Sequence, residues 1–231
     1  MLSVVILTFN SQKYLTQVLS SVSWADEVLC IDSGSADDTA KIISEHKNTR
    51  LIFQPWLGFG AQKQFGVDAA KNEWVFVLDS DEVFTPQLEA EVKSVLKSPK
   101  FNAYRVPRLN YFFGKPVRNM GLYPDFSVRL FSKHHARFSD DAVHERVIAN
   151  GDVGELAEHF LHYAYESVEQ FITKQNRYSS LSAKKSRLKA IFNPIWTFVR
   201  LYFLRGGYKE GWCGYVIARL YAQYTFWKYV K

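Results

Sequence analysis

The sequence has few of the residues that mark secreted or membrane-spanning proteins. It contains only two cysteines, Cys30 and Cys213, and their spacing fits no metal-ligand motif. Because small secreted domains are usually rich in disulfides, this scarcity favours a reduced, cytoplasmic protein. The N-terminal MLSVVILTFN has neither a basic segment nor a small-residue cleavage site, so it predicts a first β-strand and not a signal peptide.

Acidic residues are nearly absent from the C-terminal quarter. Residues 174–231 contain twelve Lys or Arg and one acid, Glu210, which gives this segment a net charge of +11 and the preceding 173 residues −5. Such asymmetry predicts an acidic partner. No recognisable DNA- or RNA-binding module is present, so we expect an anionic membrane surface and no nucleic acid.

Uninterrupted apolar runs long enough to span a bilayer, about 20 residues, are also missing. Residues 190–204 are too short, and residues 212–230 carry Arg219 and Gln223 near their middle. Both segments predict helices lying in the membrane interface, with aromatic rings at headgroup depth and basic residues toward anionic lipid. The alternative is two amphipathic helices that pack on the rest of the protein or in a dimer.

The first hundred residues alternate short β-branched runs with amphipathic stretches, which is typical of βαβ units and a mostly parallel sheet flanked by helices. Predicted strands and helices alternate at 2–8, 11–23, 27–31, 37–46, 50–54, 61–70 and 74–78, followed by a helix from Pro86. Asn10 is a candidate N-cap of the first helix, and Ser35 with Asp38 resembles a capping box for the second. Beyond Pro99 the pattern becomes irregular, and a helix is predicted from Ser167 toward Lys189.

The segment WVFVLDSDE, residues 74–82, places three carboxylates directly after an apolar strand. In an extended chain Asp79 and Asp81 project to the same side, and two close carboxylates repel unless one is protonated or a cation lies between them. Ligands of open parallel sheets bind beyond the carboxyl ends of strands, and an all-oxygen set suits a divalent cation completed by phosphate oxygens.

Three interpretations of this segment compete. It can be a solvated turn, the metal–diphosphate site of a nucleotide-sugar transferase, or the D-x-D-x-[TV] motif of a haloacid-dehalogenase-like phosphatase, which DSDEV also matches. The phosphatase motif usually lies near the start of the chain, whereas three strand–helix units precede it here. Asp32, at the end of the second predicted strand, can accept a hydrogen bond from uracil or ribose, although a simple Asx-turn is the favoured interpretation of this residue by itself.

The segments LTFN, IDSGSADDT, GFGAQKQFG and LDSDE occur in the order and spacing of the family 2 glycosyltransferases. The first hundred residues resemble these inverting enzymes, which have a GT-A (Rossmann-like) fold. The downstream YRVPRLNYFFGKPVRNMGLYPDFSVRLF and DDAVHERV resemble the lipopolysaccharide inner-core branch, which adds a hexose, here expected to be glucose, to heptose.

That resemblance implies a UDP-sugar donor, Mg²⁺ or Mn²⁺, and a lipid-linked saccharide acceptor. It assigns Thr8 and Asp32 to uridine, Asp79 to ribose and metal, and Asp81 to the metal. Lys63 matches a position where the family commonly has Arg, so it would contact the diphosphate as a point charge without a bidentate fork. The family's Q-x-x-R-W signature is absent, which argues against a processive polysaccharide synthase.

Inverting transfer also needs a carboxylate that takes the proton of the acceptor hydroxyl. The second half of the chain offers Asp125, Asp140, Asp141 and Glu145. The motif DDAVHE matches the family best, and we favour Glu145, with Asp141 second; local ion pairs or loop caps are the alternative. Basic residues in the same region could pair with an anionic saccharide or be solvated surface: Lys115, Arg118, Arg129 and Arg146.

The predicted organisation is a GT-A catalytic domain over residues 1–165, with a nucleotide-sugar half at 1–100 and an acceptor half at 101–165. Residues 166–231 form a basic, aromatic, helical extension that associates with membrane. These features predict a cytoplasmic enzyme that is peripheral at the inner face of the cell membrane. A membrane-associated nucleotide-binding module without catalysis remains the non-enzymatic alternative.

Overall fold

The computed structural model describes residues 1–139 and 145–231. They form two compact units. Unit 1 comprises Met1–Arg108 and Phe126–Leu161, and unit 2 comprises Leu109–Asp125 and His162–Lys231. Residues 109–125, which the sequence analysis grouped with the acceptor half, thus pack with the C-terminal residues. Two candidate bases, Asp140 and Asp141, lie outside the described residues.

The strands and helices follow in chain order. The strands are β1 (Leu2–Thr8), β2 (Glu27–Asp32), β3 (Thr49–Phe53), β4 (Trp74–Asp79), β5 (Glu82–Val83), β6 (Ala103–Phe112), β7 (Lys115–Pro116), β8 (Asp125–Ser132), β9 (Ala136–Phe138), β10 (Val147–Ala149), β11 (Val153–Glu155) and β12 (Phe160–Tyr165). The helices are α1 (Gln12–Ser21), α2 (Thr39–Ser44), α3 (Phe59–Ala69), α4 (Pro86–Lys97), α5 (Val168–Leu181), α6 (Arg187–Val199) and α7 (Gly211–Val230). A π-helical segment, Arg200–Leu204, continues α6, and a 3-10 turn, Gly207–Glu210, precedes α7.

The principal sheet has the strand order β3-β2-β1-β4-β8-β6-β12-β5. Its first four strands are parallel, and β8 runs antiparallel to β4. Strands β1 and β2 are almost completely buried, which explains why they read as continuous apolar runs without alternation. The predicted α/β class, a mostly parallel sheet flanked by helices, is confirmed for this part of the chain.

Helix α3 lies directly against the sheet. A β-carbon added at Gly66 would be 2.4 Å from Val5 Cγ1 and 3.0 Å from Ile31 Cγ1, so only glycine permits this approach. Val67 packs in the same core cluster as Val5 and Ile31. The close contact sets the position of the whole helix, including Lys63 one turn earlier.

Three local predictions were wrong. Asn10 does not cap α1; it has φ 49°, and its Oδ1 accepts a hydrogen bond from Ala36 N at 2.9 Å. Ser35 does not cap α2, because its hydroxyl donates to the Asp32 carboxylate. The helix that begins after Ser167 ends at Leu181 and does not reach Lys189. The partner of Asn10 is thus distant in sequence, that of Ser35 lies three residues before it, and a separate helix, α6, contains Lys189.

In unit 2, α7 buries one face that includes Cys213, Ile217 and Ala218 in a cluster with Phe112 and Phe171. Packing therefore accounts for much of the apolar content of residues 212–230. The outer face of α6 differs, because a stripe of large apolar side chains is exposed on it. The α6 stripe consists of Leu188, Ile191, Phe192, Ile195 and Trp196. Among the described residues, no helix combines the length and apolarity needed to cross a bilayer.

Candidate active site

Three adjacent parallel strands end at one edge of the sheet and carry three of the predicted donor residues. The register pairs Thr8 with Asp32 and Leu7 with Asp79, so β1, β2 and β4 end side by side. Thr8 and Asp32 are buried, while the Asp79 side chain is 35% exposed. The edge thus presents two carboxylates and a hydroxyl at the place where parallel sheets bind ligands.

Asp32 organises the loop that follows β2. Its Oδ1 accepts from Thr8 Oγ1 at 3.0 Å, and its Oδ2 accepts from the backbone N–H groups of Gly34 and Ser35 at 2.9 and 2.8 Å. Gly34 has φ 103°, which only glycine adopts readily. Burial acts to raise the pKa of Asp32, but the hydrogen bonds from Ser35, Gly34 and Thr8 outweigh it and lower that pKa. The Asx-turn interpretation therefore describes the contacts of Asp32 in this structure.

Lys63 brings together residues that are far apart in sequence. From α3, its Nζ lies 3.3 Å from Asp79 Oδ1 and 3.1 Å from Glu145 Oε1. The Lys63 side chain is only 7% exposed, and that of Glu145 is 21% exposed. The Lys63 ammonium thus links Asp79 to Glu145, the favoured candidate base. The second candidate base, Asp141, lies outside the described residues.

Beneath Asp79 lies a buried ion pair that the sequence analysis did not identify. Glu82 is fully buried, and its Oε1 is 2.7 Å from Arg129 NH2 and 3.6 Å from Arg108 NH1. Its Oε2 accepts a hydrogen bond from Asp79 N at 2.9 Å. Burial raises the pKa of Glu82, with Arg129 acting in the opposite direction. Arg129, considered above as an acceptor-side or solvated residue, is therefore a buried partner of Glu82.

Asp81 occupies the two-residue turn between β4 and β5, together with Ser80. The extended alternation assumed above therefore stops at Asp79. Ser80 Oγ lies 2.8 Å from Ser11 Oγ, which ties the turn to the start of α1. Glu82, the third carboxylate, is turned inward, so only Asp79 and Asp81 of this segment remain candidates for a metal.

The carboxylates of Asp79 and Asp81 are compatible with a divalent ion whose other ligands come from a bound substrate. Within residues 1–139 and 145–231, no group of three His, Cys, Asp or Glu side chains could hold a metal by itself. Mg²⁺-type sites, however, often use one or two carboxylates together with substrate phosphates. Asp79 and Asp81 fit that arrangement and would need phosphate oxygens to complete it.

The remaining predicted residues lie elsewhere. Lys115, Arg118 and Asp125 belong to unit 2, where Arg118 lies 5.2 Å from the ring centroid of Tyr123. Asp125 Oδ2 accepts from Asn110 Nδ2 at 3.3 Å. Arg146 is exposed in unit 1, next to Glu145.

Comparison with known proteins places this arrangement in a family. Residues 3–143 match the family described as Glycosyl transferase family 2. A lipopolysaccharide core biosynthesis glycosyltransferase, LpsC of Rhizobium meliloti, is 30% identical, with 97% of this chain and 89% of the relative covered. An uncharacterized glycosyltransferase of Rickettsia typhi is 29% identical, with coverage of 100% and 86%.

Solved structures show the same fold. The crystal structure of TarS residues 1–349 from Staphylococcus aureus has a TM-score of 0.52 at 13% identity, and the match covers 97% of this chain and 90% of that 1–349 chain. Its complex with UDP-GlcNAc gives a TM-score of 0.52 at 15% identity, with coverage of 94% and 79%. The expected GT-A-like sheet with flanking helices and a C-terminal helical extension is confirmed.

The family match covers more than half of the chain, and the LpsC match nearly all of it. These matches decide against the phosphatase interpretation of DSDEV and against a module without catalysis. The chain belongs to glycosyl transferase family 2 and is a glycosyltransferase.

Proposed function

We propose that this enzyme transfers a hexose, which we expect to be glucose, from a UDP-sugar to a heptose of the lipopolysaccharide inner core, with inversion. The observation that carries the proposal is the Lys63 cluster. Its ammonium contacts both Asp79, at the sheet edge where donors bind, and Glu145, the candidate base. Asp79 on the sugar-donor side and Glu145 as the base both contact Lys63, and this proximity suits a single-displacement transfer.

The donor would bind along the edge formed by β1, β2 and β4. TarS has been crystallised with UDP-GlcNAc, and a related donor fits the present edge by its chemistry. Thr8 Oγ1 also lies 3.4 Å from the carbonyl of Ile31, so rotation of its hydroxyl would free one acceptor position of Asp32 Oδ1 for uridine, while the bond from Ser35 Oγ remains. Lys63 supplies a positive charge for the diphosphate.

Asp79 and Asp81 are the residues that would hold Mg²⁺ or Mn²⁺, together with the donor phosphates. Such an ion would neutralise the charge that develops on the departing diphosphate. Since Asp79 Oδ1 contacts Lys63, the ammonium and the ion would share that carboxylate.

Glu145 would act as the general base. As the acceptor oxygen bonds to the anomeric carbon, Glu145 takes the hydroxyl proton, and the electron pair of the breaking carbon–oxygen bond leaves with UDP. The Lys63 ammonium lies 3.1 Å from Glu145 Oε1 and so holds this carboxylate beside Asp79. Asp141 keeps its place as the second candidate.

The acceptor assignment is supported by LpsC, whose name refers to lipopolysaccharide core biosynthesis and whose length this chain nearly covers. A lipid-linked acceptor would keep the enzyme at the inner face of the cell membrane. The α6 stripe supports that location: its residues recur at the spacing of one helical face and are exposed. Four exposed cations just before and in the first turn of α6 would complement anionic lipid: Lys184, Lys185, Arg187 and Lys189.

The test uses the purified full-length chain with a panel of UDP-hexoses, Mn²⁺ and a heptose-containing core acceptor. We expect UDP release to depend on the acceptor and to be fastest with UDP-glucose. Nuclear magnetic resonance of the product would report the anomeric configuration. Failure of every UDP-hexose to yield acceptor-dependent UDP, in protein that is folded by circular dichroism, would reject the proposal.

A further inference from the structure

We propose that Glu82 and Arg129 are positioning residues, which orient Asp79 and the Ser80–Asp81 turn for the metal–diphosphate of the donor. This inference rests on the proposed function. Neither residue is accessible to a substrate: Glu82 is fully buried, and the Arg129 side chain is 7% exposed. Their effect on the reaction would therefore pass through the two aspartates.

Glu82 closes the turn that carries Asp81. The strand β4 ends at Asp79, and the backbone N–H of Asp79 donates to Glu82 Oε2 at 2.9 Å. This bond spans three residues and fixes the turn between them. A buried carboxylate in this place is stable only if cations compensate it, and Arg129 and Arg108 both contact its other oxygen.

Arg129 is fixed by four groups on different segments. Its Nε donates to Ser127 Oγ at 3.0 Å, its NH1 to the carbonyl of Val77 at 3.1 Å, and its NH2 to Glu82 Oε1 at 2.7 Å. The guanidinium also lies 5.2 Å from the ring centroid of Phe160. A lysine would keep the charge but not this forked set of bonds.

The same guanidinium reaches the candidate metal ligand. Arg129 NH2 lies 3.7 Å from Asp79 Oδ2, while Lys63 contacts the opposite oxygen, Oδ1. Asp79 is thus oriented by a cation on each side, and its backbone is bonded to Glu82. Partners behind a ligating carboxylate commonly change metal affinity or activity by about 10- to 100-fold when they are replaced.

The experiment compares Arg129→Lys, Glu82→Gln and the double variant Glu82→Gln/Arg129→Met with wild type. Mn²⁺ binding in the presence of UDP is followed by electron paramagnetic resonance, and UDP binding by calorimetry at saturating and zero Mn²⁺. We expect each variant that folds to need roughly tenfold more Mn²⁺ for half-saturation. UDP binding without metal should stay unchanged.

Arg105→Lys is the matched control. Arg105 also pairs with a glutamate in unit 1, Glu155, but both side chains are about half exposed. An exposed pair contributes about 0–1 kcal/mol, so this variant should have the Mn²⁺ affinity of wild type. If replacing any arginine of unit 1 weakened Mn²⁺ binding, Arg105→Lys would weaken it as much as Arg129→Lys does.

The outcomes separate the two proposals. If wild type binds no Mn²⁺ with UDP, the proposed donor chemistry fails. If wild type binds and the folded variants show the same Mn²⁺ half-saturation, the positioning role is wrong. The double variant removes both buried charges together, which is often tolerated, so it remains informative if a single variant unfolds. If none of the three folds, the pair stabilises the fold and the positioning role is also rejected.

Discussion

Replacement of Lys63 by Met would remove the cation between Asp79 and Glu145. Both carboxylates contact the same nitrogen, at 3.3 and 3.1 Å, so Asp79 Oδ1 and Glu145 Oε1 are at most about 6.4 Å apart. Methionine has a similar length and retains the packing of the aliphatic stem. The substitution therefore isolates the charge, and Lys63→Arg is its control because it retains a cation in the same place.

The size of the effect follows from the geometry. At about 6 Å and an effective dielectric constant of about 20, two carboxylates repel by about 2.8 kcal/mol. The two side chains are 35% and 21% exposed, and Arg129 also lies 3.7 Å from Asp79, so solvent and this cation reduce the cost. We expect the free energy of unfolding to fall by about 1–2 kcal/mol, which lowers Tm by about 2–8 °C in a chain of this size.

Thermal melting with and without Mn²⁺ gives the most direct measurement. Lys63→Met should melt below wild type, and Mn²⁺ should raise its Tm more than that of wild type, because Asp79 and Glu145 would bind the ion in place of the ammonium. Turnover should fall by roughly 10²-fold through loss of the positive charge on the diphosphate. Equal Tm values and equal Mn²⁺ responses for wild type and Lys63→Met would refute the bridging role of Lys63.

Four further predictions concern the donor edge, the base and the α6 stripe. Asp81→Ala should abolish Mn²⁺-dependent UDP binding in calorimetry, and unchanged Mn²⁺ dependence would remove this residue from the metal site. Glu145→Gln should bind UDP normally but turn over roughly 10²-fold more slowly; full activity in a UDP-release assay would transfer the base to another acid. Because the pKa of Asp32 is lowered in the folded chain, its carboxylate stabilises the fold above the unfolded-state pKa of about 3.9, and this contribution is lost as pH falls through the folded-state pKa. Denaturant titration should therefore show Asp32→Asn less stable than wild type at neutral pH, with the gap closing in acid; a gap independent of pH would contradict this. Phe192→Ser combined with Ile195→Ser should reduce sedimentation with anionic liposomes without affecting UDP binding, and undiminished sedimentation would show that lipid does not contact this stripe.

Most strands and helices of the nucleotide-sugar half, residues 1–100, could be predicted from the sequence, because local signals determine them. The strand β1 was predicted with the bounds that the structure has, and β2 and β4 to within one residue. The apolar runs indicate buried parallel strands, and parallel strands bring their carboxyl ends to one edge. The structure places Thr8, Asp32 and Asp79 at the ends of three adjacent strands, in agreement with that rule.

The contacts that give these residues their chemistry were decided by the tertiary structure. Lys63 meets Glu145 across 82 positions, and Arg129 meets Glu82 across 47. A hydrophobic period determines which face of an element is buried, but not which distant charge lies opposite it. For that reason the sequence presented three similar carboxylates after β4, whereas the fold turned Glu82 inward toward Arg129 and left Asp79 partly exposed at the end of its strand.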